Sequence, residues 1–135
     1  MTQNRYSVLL VDDDSIYQFT ARKTLEATGF TDKIWVCSNG EEAIKLLEKN
    51  LTDGAMPDVI FLDVNMPVMN GWDFLEKYSF LRTSNDLKAP VFIVSSSVDE
   101  ADIIHSKQFQ EVTDYIIKPI LREKFTEILS TLNVA

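Results

Sequence analysis

Short apolar runs and longer amphipathic stretches alternate along the whole chain. The runs at 7–11, 33–37, 59–62, 91–94 and 115–117 are rich in Val, Ile, Leu and Phe, which predicts short strands buried on both faces. Between them, residues 15–28, 40–49, 71–81, 99–110 and 121–132 have helical length and carry charges at helical spacing, which predicts five helices. Strands of this kind joined by crossover helices imply a parallel sheet covered on both faces, because parallel neighbours need a long, right-handed return connection. Ligands then bind at the carboxyl ends of the strands. Gly29 is placed to stop the first helix and Asn39-Gly40 to open the second, while residues 51–57 read as a polar loop into the third strand. The fourth helix has few apolar positions beyond Ala101, Ile103, Ile104 and Phe109, so it is expected to pack lightly.

Composition narrows the class. A chain of 135 residues with 45% apolar and 25% charged residues is the size of one ordinary globular domain. No Ser/Gly-rich break, repeat or low-complexity segment divides it, so residues 1–135 are expected to form a single domain with no output domain attached. The formal net charge of −8 argues against nonspecific binding to nucleic acid or to an anionic membrane. One cysteine, Cys37, forms no internal disulfide, and neither a secretion signal nor a run of membrane-spanning length is seen. A cytoplasmic location is expected.

The chemistry gathers at predicted strand ends. Asp12, Asp13 and Asp14 follow the run Val8, Leu9, Leu10, Val11 directly. Neighbouring carboxylates repel by about 4 kcal/mol per pair at roughly 4 Å and an effective dielectric near 20, so a cation is expected among them. Asp12 and Asp13 with Asp63 make an oxygen-only set suited to Mg2+ or Mn2+, whereas one Cys and one His leave no usual zinc set. Asp63 stands alone in FLDVNMPVMNG and is the candidate nucleophile toward phosphorus, forming an aspartyl phosphate. Ser95 after the fourth strand and Lys118 after the fifth are placed to contact phosphoryl oxygens. Asp14 reads as a cap for the helix beginning near Ser15.

At these residues the chain resembles the receiver domain of two-component response regulators, over essentially its whole length. VLLVDDDS, FLDVNMP, VFIVSSS and YIIKP carry the resemblance, and their combination is far more specific than any one alone. It implies a flavodoxin-like (CheY-like) α/β fold, doubly wound, with five strands in the order 2-1-3-4-5 and five helices. It further implies that Asp12, Asp13, Asp63 and the Asn65 backbone carbonyl hold the metal and that Asp63 is the phosphoacceptor. Ser95 and Tyr115 are then the switch pair that shifts the face of the fourth helix, and a cis peptide bond before Pro119 turns Lys118 into the site. The implied partners are a sensor histidine kinase or histidine phosphotransfer protein and a downstream protein target whose identity the sequence does not give, as in chemotaxis-type and phosphorelay-type single receivers.

Two features stand outside that pattern. Tyr17 and Leu25 fit the packed face of the first helix, but Ile16 and Phe19 fall off it and are expected to form a docking patch for the kinase or phosphotransfer helix. Residues 78–88 make a longer connection than the family's usual one between third helix and fourth strand. Competing functions fit the residues less well than the receiver does. A Mg2+-dependent phosphohydrolase of the haloacid-dehalogenase type would use Asp12 and Asp14, but does not account for Asp63, Ser95 and Lys118. A phosphorylation-independent binding module would leave the acidic site idle. A calcium loop at Asp63 and Asn65 fails at Pro67 and Val68, where an oxygen ligand and a glycine are required. A flavin module would need a phosphate-cradling loop in place of the acidic turn.

Overall fold

The computed structural model describes residues 5–66 and 68–132; Pro67, invoked above against the calcium loop, lies outside them. Five βα units follow one another: β1 (Tyr6–Val11), α1 (Ser15–Ala27), β2 (Thr31–Cys37), α2 (Gly40–Asp53), β3 (Val59–Leu62), α3 (Gly71–Asn85), β4 (Val91–Ser95), α4 (Glu100–Ser106), β5 (Val112–Ile117) and α5 (Arg122–Thr131). The strands form one parallel sheet in the order β2-β1-β3-β4-β5. This is the doubly wound architecture expected from the sequence. Among the described residues no helix is long and apolar enough to cross a membrane.

Strand alternation splits the core into two layers. Leu9, Val11, Ile60, Leu62, Val91 and Ile93 face Ala43, Ile44 and Leu47 of α2 and Phe74, Leu75 and Tyr78 of α3. Their neighbours Val8, Leu10, Val59, Phe61, Phe92 and Val94 face Ala21 and Leu25 of α1 and Phe125, Ile128 and Leu129 of α5. Each fully buried Leu, Ile or Val contributes about 1.5–3 kcal/mol by leaving water, so the central strands hold both layers to a single plane. Tyr17 packs with Leu25 in the second layer, as its spacing predicted.

Several boundaries differ from the sequence reading. The stretch 51–57 is not all loop: α2 continues to Asp53 and stops where Gly54 turns left-handed, φ 78°. The stretch 78–88 is mostly helix, since α3 runs to Asn85 and ends at Asp86, φ 54°. Expected at 99–110, α4 is only Glu100–Ser106 and gives way to turns. The fifth strand starts three residues early, at Val112, where the Glu111 carbonyl accepts the Val91 amide at 2.8 Å and begins the ladder. The cis bond between Lys118 and Pro119 is present, and Gly29 has the left-handed φ of 76° that suits the end of α1.

Candidate phosphoacceptor and metal site

Three strand ends bring the acidic groups together. The Asp12 amide donates to the Cys37 carbonyl on β2 at 3.0 Å, and the Asp63 amide to the Val11 carbonyl on β1 at 2.9 Å, so both aspartates leave the sheet at the same level. The Lys118 amide donates to the Ser95 carbonyl at 2.9 Å, fixing the fifth strand's exit beside the fourth. Asp12 is 2% exposed and Asp63 8%, while Asp13 is exposed. One oxygen from each carboxylate lies within 4.8 Å of the others.

Lys118 is the counter-charge. Its Nζ donates to Asp12 Oδ2 at 2.8 Å and stands 3.8 Å from Asp63 Oδ2. One ammonium between these carboxylates leaves the cluster net negative. Burial lifts the Asp63 carboxyl above the ordinary carboxylate value, with Asp12 pushing the same way and Lys118 opposing. Asp63 Oδ1 accepts the Asn65 amide at 3.3 Å and Asp12 Oδ1 the Asp14 amide at 2.9 Å, so each acid is held by the backbone two residues on. The donor set is all oxygen, partly buried and short of positive charge, and it fits a hard divalent ion that keeps some of its waters.

Asp14 stands apart from the cluster. Its Oδ1 accepts the amides of Ile16 at 2.9 Å and Tyr17 at 3.2 Å, making it the N-cap of α1. The cap accounts for Asp14 without the catalytic role that the hydrolase reading would give it.

Ser95 and Tyr115 meet through Ser97. The Ser95 hydroxyl, 0% exposed, accepts the Ser97 amide at 3.1 Å, and the Tyr115 hydroxyl donates to the Ser97 carbonyl at 3.0 Å. Ser97 Oγ in turn donates to Asp102 of α4 at 2.8 Å and accepts the Asp99 amide at 3.2 Å. One residue therefore ties the fourth strand's hydroxyl, the aromatic on β5 and the start of α4. Sequence reasoning singled out Ser95 and Tyr115 but missed Asp102, because a polar residue near a helix start reads only as solvated.

Tyr17 is a second omission. Its ring lies under the Lys118 ammonium, 4.1 Å from Nζ to the ring centroid, a cation–π contact that holds the lysine over the site. Burial, then Asp12 and Asp63, raise its phenol far above the ordinary tyrosine value. Gln18 is a third, donating through Nε2 to the Asp12 carbonyl and to Ser38 Oγ. Helical spacing marks Tyr17 as core and nothing more.

Residues 8–130 match the family model of the response regulator receiver domain. The chain belongs to the response regulator receiver family. Among its relatives is the chemotaxis protein CheY1 of Helicobacter pylori, 32% identical over 129 residues that cover 92% of this chain and 97% of that protein. Another is the sensor histidine kinase CheAY of the same species, 31% identical over 92% of this chain, which spans only 14% of CheAY. A solved two-component response regulator from Cytophaga hutchinsonii superposes with a TM-score of 0.86 at 27% identity, covering 97% of this chain and 98% of that one. The order 2-1-3-4-5 that the resemblance implied is the order of this sheet, and the solved response regulator shares the fold.

Proposed function

We propose that this receiver accepts a phosphoryl group on Asp63 from a phosphohistidine of a sensor kinase or phosphotransfer protein. The observation that carries the reading is the incompletely neutralised cluster itself, three carboxylates against one ammonium: Asp63 at a strand end, Lys118 Nζ 3.8 Å away, and Asp12 and Asp13 carboxylates within 4.8 Å. In the transfer, an Asp63 carboxylate oxygen forms the new P–O bond as the P–N bond to histidine breaks, and the imidazole nitrogen leaves with the electron pair. Lys118 is positioned to take up phosphoryl charge once its bond to Asp12 loosens. Asp12, Asp13, Asp63 and the Asn65 carbonyl would hold Mg2+ or Mn2+, which supplies the positive charge that lets a dianionic group approach an anionic nucleophile.

The response would leave through Ser95, Ser97 and Tyr115. A phosphoryl oxygen that draws the Ser95 hydroxyl competes with the Ser97 amide for it, and Ser97 is also where Tyr115 and Asp102 are anchored. The phosphorylated state would then favour a different packing of α4, by as much as its contacts differ between the two packings. Ile16 and Phe19, 78% and 65% exposed on α1 beside the acidic cluster, would be the docking patch for the phosphodonor. The likeness to the chemotaxis protein CheY1 over 97% of that protein supports a receiver that passes its signal on by contact with a protein target.

Intact mass after incubation with Mg2+ and a small acyl phosphate or phosphoramidate tests the chemistry. One added phosphoryl group in the wild type, absent in Asp63→Asn and absent without metal, is the expected result. Donor consumption that survives in Asp63→Asn would instead favour a hydrolase using Asp12, and no adduct at all a phosphorylation-independent binding module.

A further inference from the structure

We propose that the groove between α2 and α3 docks a basic, amphipathic helical segment of a partner protein. The groove measures about 570 Å³ and is floored by Ile44, Met69 and Leu81. Phe80 and Val68 stand at its edges, 73% and 77% exposed. A single exposed apolar side chain is ordinary on a protein surface; two that border one groove with an apolar floor form a patch. Val68 is a β-branched residue at φ 65°, a conformation such residues rarely adopt, and its side chain gains no burial there.

Charge selects the occupant. Glu48, Asp73 and Glu76 line the rim against one cation, Lys77, so the surface favours a partner segment carrying Lys or Arg beside its apolar residues. A second copy of this chain, with net charge −8, would bring like charge to the same rim. Geometry suits a helix. Asp73, Lys77 and Phe80 repeat along one face of α3, and Val68 precedes its first turn, while Phe80 lies about 13 Å along the axis from the helix start. Apolar side chains eight to eleven residues apart on a docked helix span roughly 12–16 Å, the length needed to lie along that face.

The occupant would also touch the loop that leaves Asp63. The Met69 carbonyl accepts the Gly40 amide at 2.9 Å, and the Gly71 amide donates to the Val64 carbonyl at 3.0 Å, so Val68 and Met69 are strung between α2 and the end of β3. Binding should therefore be visible in that loop as well as on the helices.

The test is a titration of the isotope-labelled full chain with a synthetic 16-residue helix-forming peptide, Leu on one face and Lys/Arg flanking it. Its twin with Glu in place of every Lys and Arg is the control. Saturable amide shifts at Ile44, Val68, Met69 and Phe80 are expected, with affinity falling at least tenfold in Phe80→Ser and in the double variant Glu48→Gln, Glu76→Gln. These side chains are exposed, so the core is untouched by the changes. Shifts on another face, none at all, equal affinity for the acidic twin, or affinity unchanged in Phe80→Ser would each overturn the proposal. So would a concentration-dependent dimer in sedimentation that Phe80→Ser abolishes, which would give the groove to a second copy.

Discussion

At the scale of single residues, the buried hydroxyl of Tyr78 shows how one polar atom ties two elements. The side chain is 0% exposed and donates to the Ala89 carbonyl at 2.7 Å, joining α3 to the approach of β4. Tyr78→Phe is expected to cost about 1–3 kcal/mol in urea unfolding at pH 7, because the carbonyl is left unpaired. Burial, with Glu111 adding to it, pushes this phenol from 10.0 up to about 12. The folded state thus holds its proton more tightly than the unfolded chain, so the stability from this group is intact below pH 10 and is lost as pH climbs toward 12. Cys37, raised from 9.0 to about 11 by burial, acts in the same direction. Tyr78→Phe should therefore show a shallower alkaline loss than the wild type, and parallel profiles would refute that assignment. Phe19 belongs to a different class, exposed and flanked by Lys23 at 5.6 Å from its ring centroid. Phe19→Ala is expected to slow transfer from the cognate phosphodonor about tenfold while leaving phosphorylation by a small donor unchanged, and equal loss with both donors would reject the patch. The acidic residues, Asp63, Ser95 and Lys118 were legible in the sequence because a polar or charged group at the end of a buried run is costly to desolvate unless a partner or ligand meets it there. Tyr17 and Gln18 were not, since their role comes from what the fifth strand and β2 bring over them.

Among the elements, strands were read more securely than helix ends. A run of Val, Ile and Leu can only be buried, and β1, β3 and β4 are buried on both faces. A helix instead continues until something stops it, and the stops here are local backbone choices: Gly54 and Asp86 in the left-handed region end α2 and α3 several residues past the last strong apolar position. The edge strand β5 was read short because Thr113 and Asp114 are exposed and do not look like a strand. The join of β3 to α3 has a tighter requirement. A Cβ at Gly71 would sit 2.5 Å from the Asp63 carbonyl oxygen and 2.6 Å from Val64 Cα, both backbone atoms that cannot swing away. Gly71→Ala must then push α3 off the strand that carries Asp63. The expected cost is about 2–4 kcal/mol in chemical denaturation, with slower phosphorylation of Asp63 by a small donor in whatever fraction stays folded. Wild-type stability in this variant would mean that α3 can shift freely, and that the helix does not fix the aspartate's position.

For the whole molecule, the fold concentrates at one sheet edge a charge imbalance that the rest of the chain does not relieve. The net charge is −8, and the ion pairs elsewhere among the described residues are exposed helix pairs such as Lys45–Glu41 at 2.9 Å, which contribute little to stability. Among the described residues Lys118 is the cation paired with Asp12 and Asp63, and Asp13 lies within 4.8 Å of both without an ion pair of its own, so the metal-free fold retains repulsion that the unfolded chain escapes. Relief can come by adding a cation or by removing a carboxylate, and the two routes should not add. Mg2+ at a hundredfold excess over its dissociation constant stabilises by about 2.7 kcal/mol, which for a chain of this length raises Tm by roughly 10 °C. Asp63→Asn is expected to raise the metal-free Tm by a few degrees and to lose most of the Mg2+ increment. Asp13→Asn should lose the increment too, but gain less without metal, because its carboxylate is exposed and already solvated. Calorimetry of the three proteins with and without Mg2+, at fixed ionic strength so that screening is held constant, separates these terms. An Mg2+ increment retained in full by Asp63→Asn would show that the ion is bound without the proposed phosphoacceptor. A metal-free Asp63→Asn no more stable than wild type would show that Lys118 alone neutralises the buried pair.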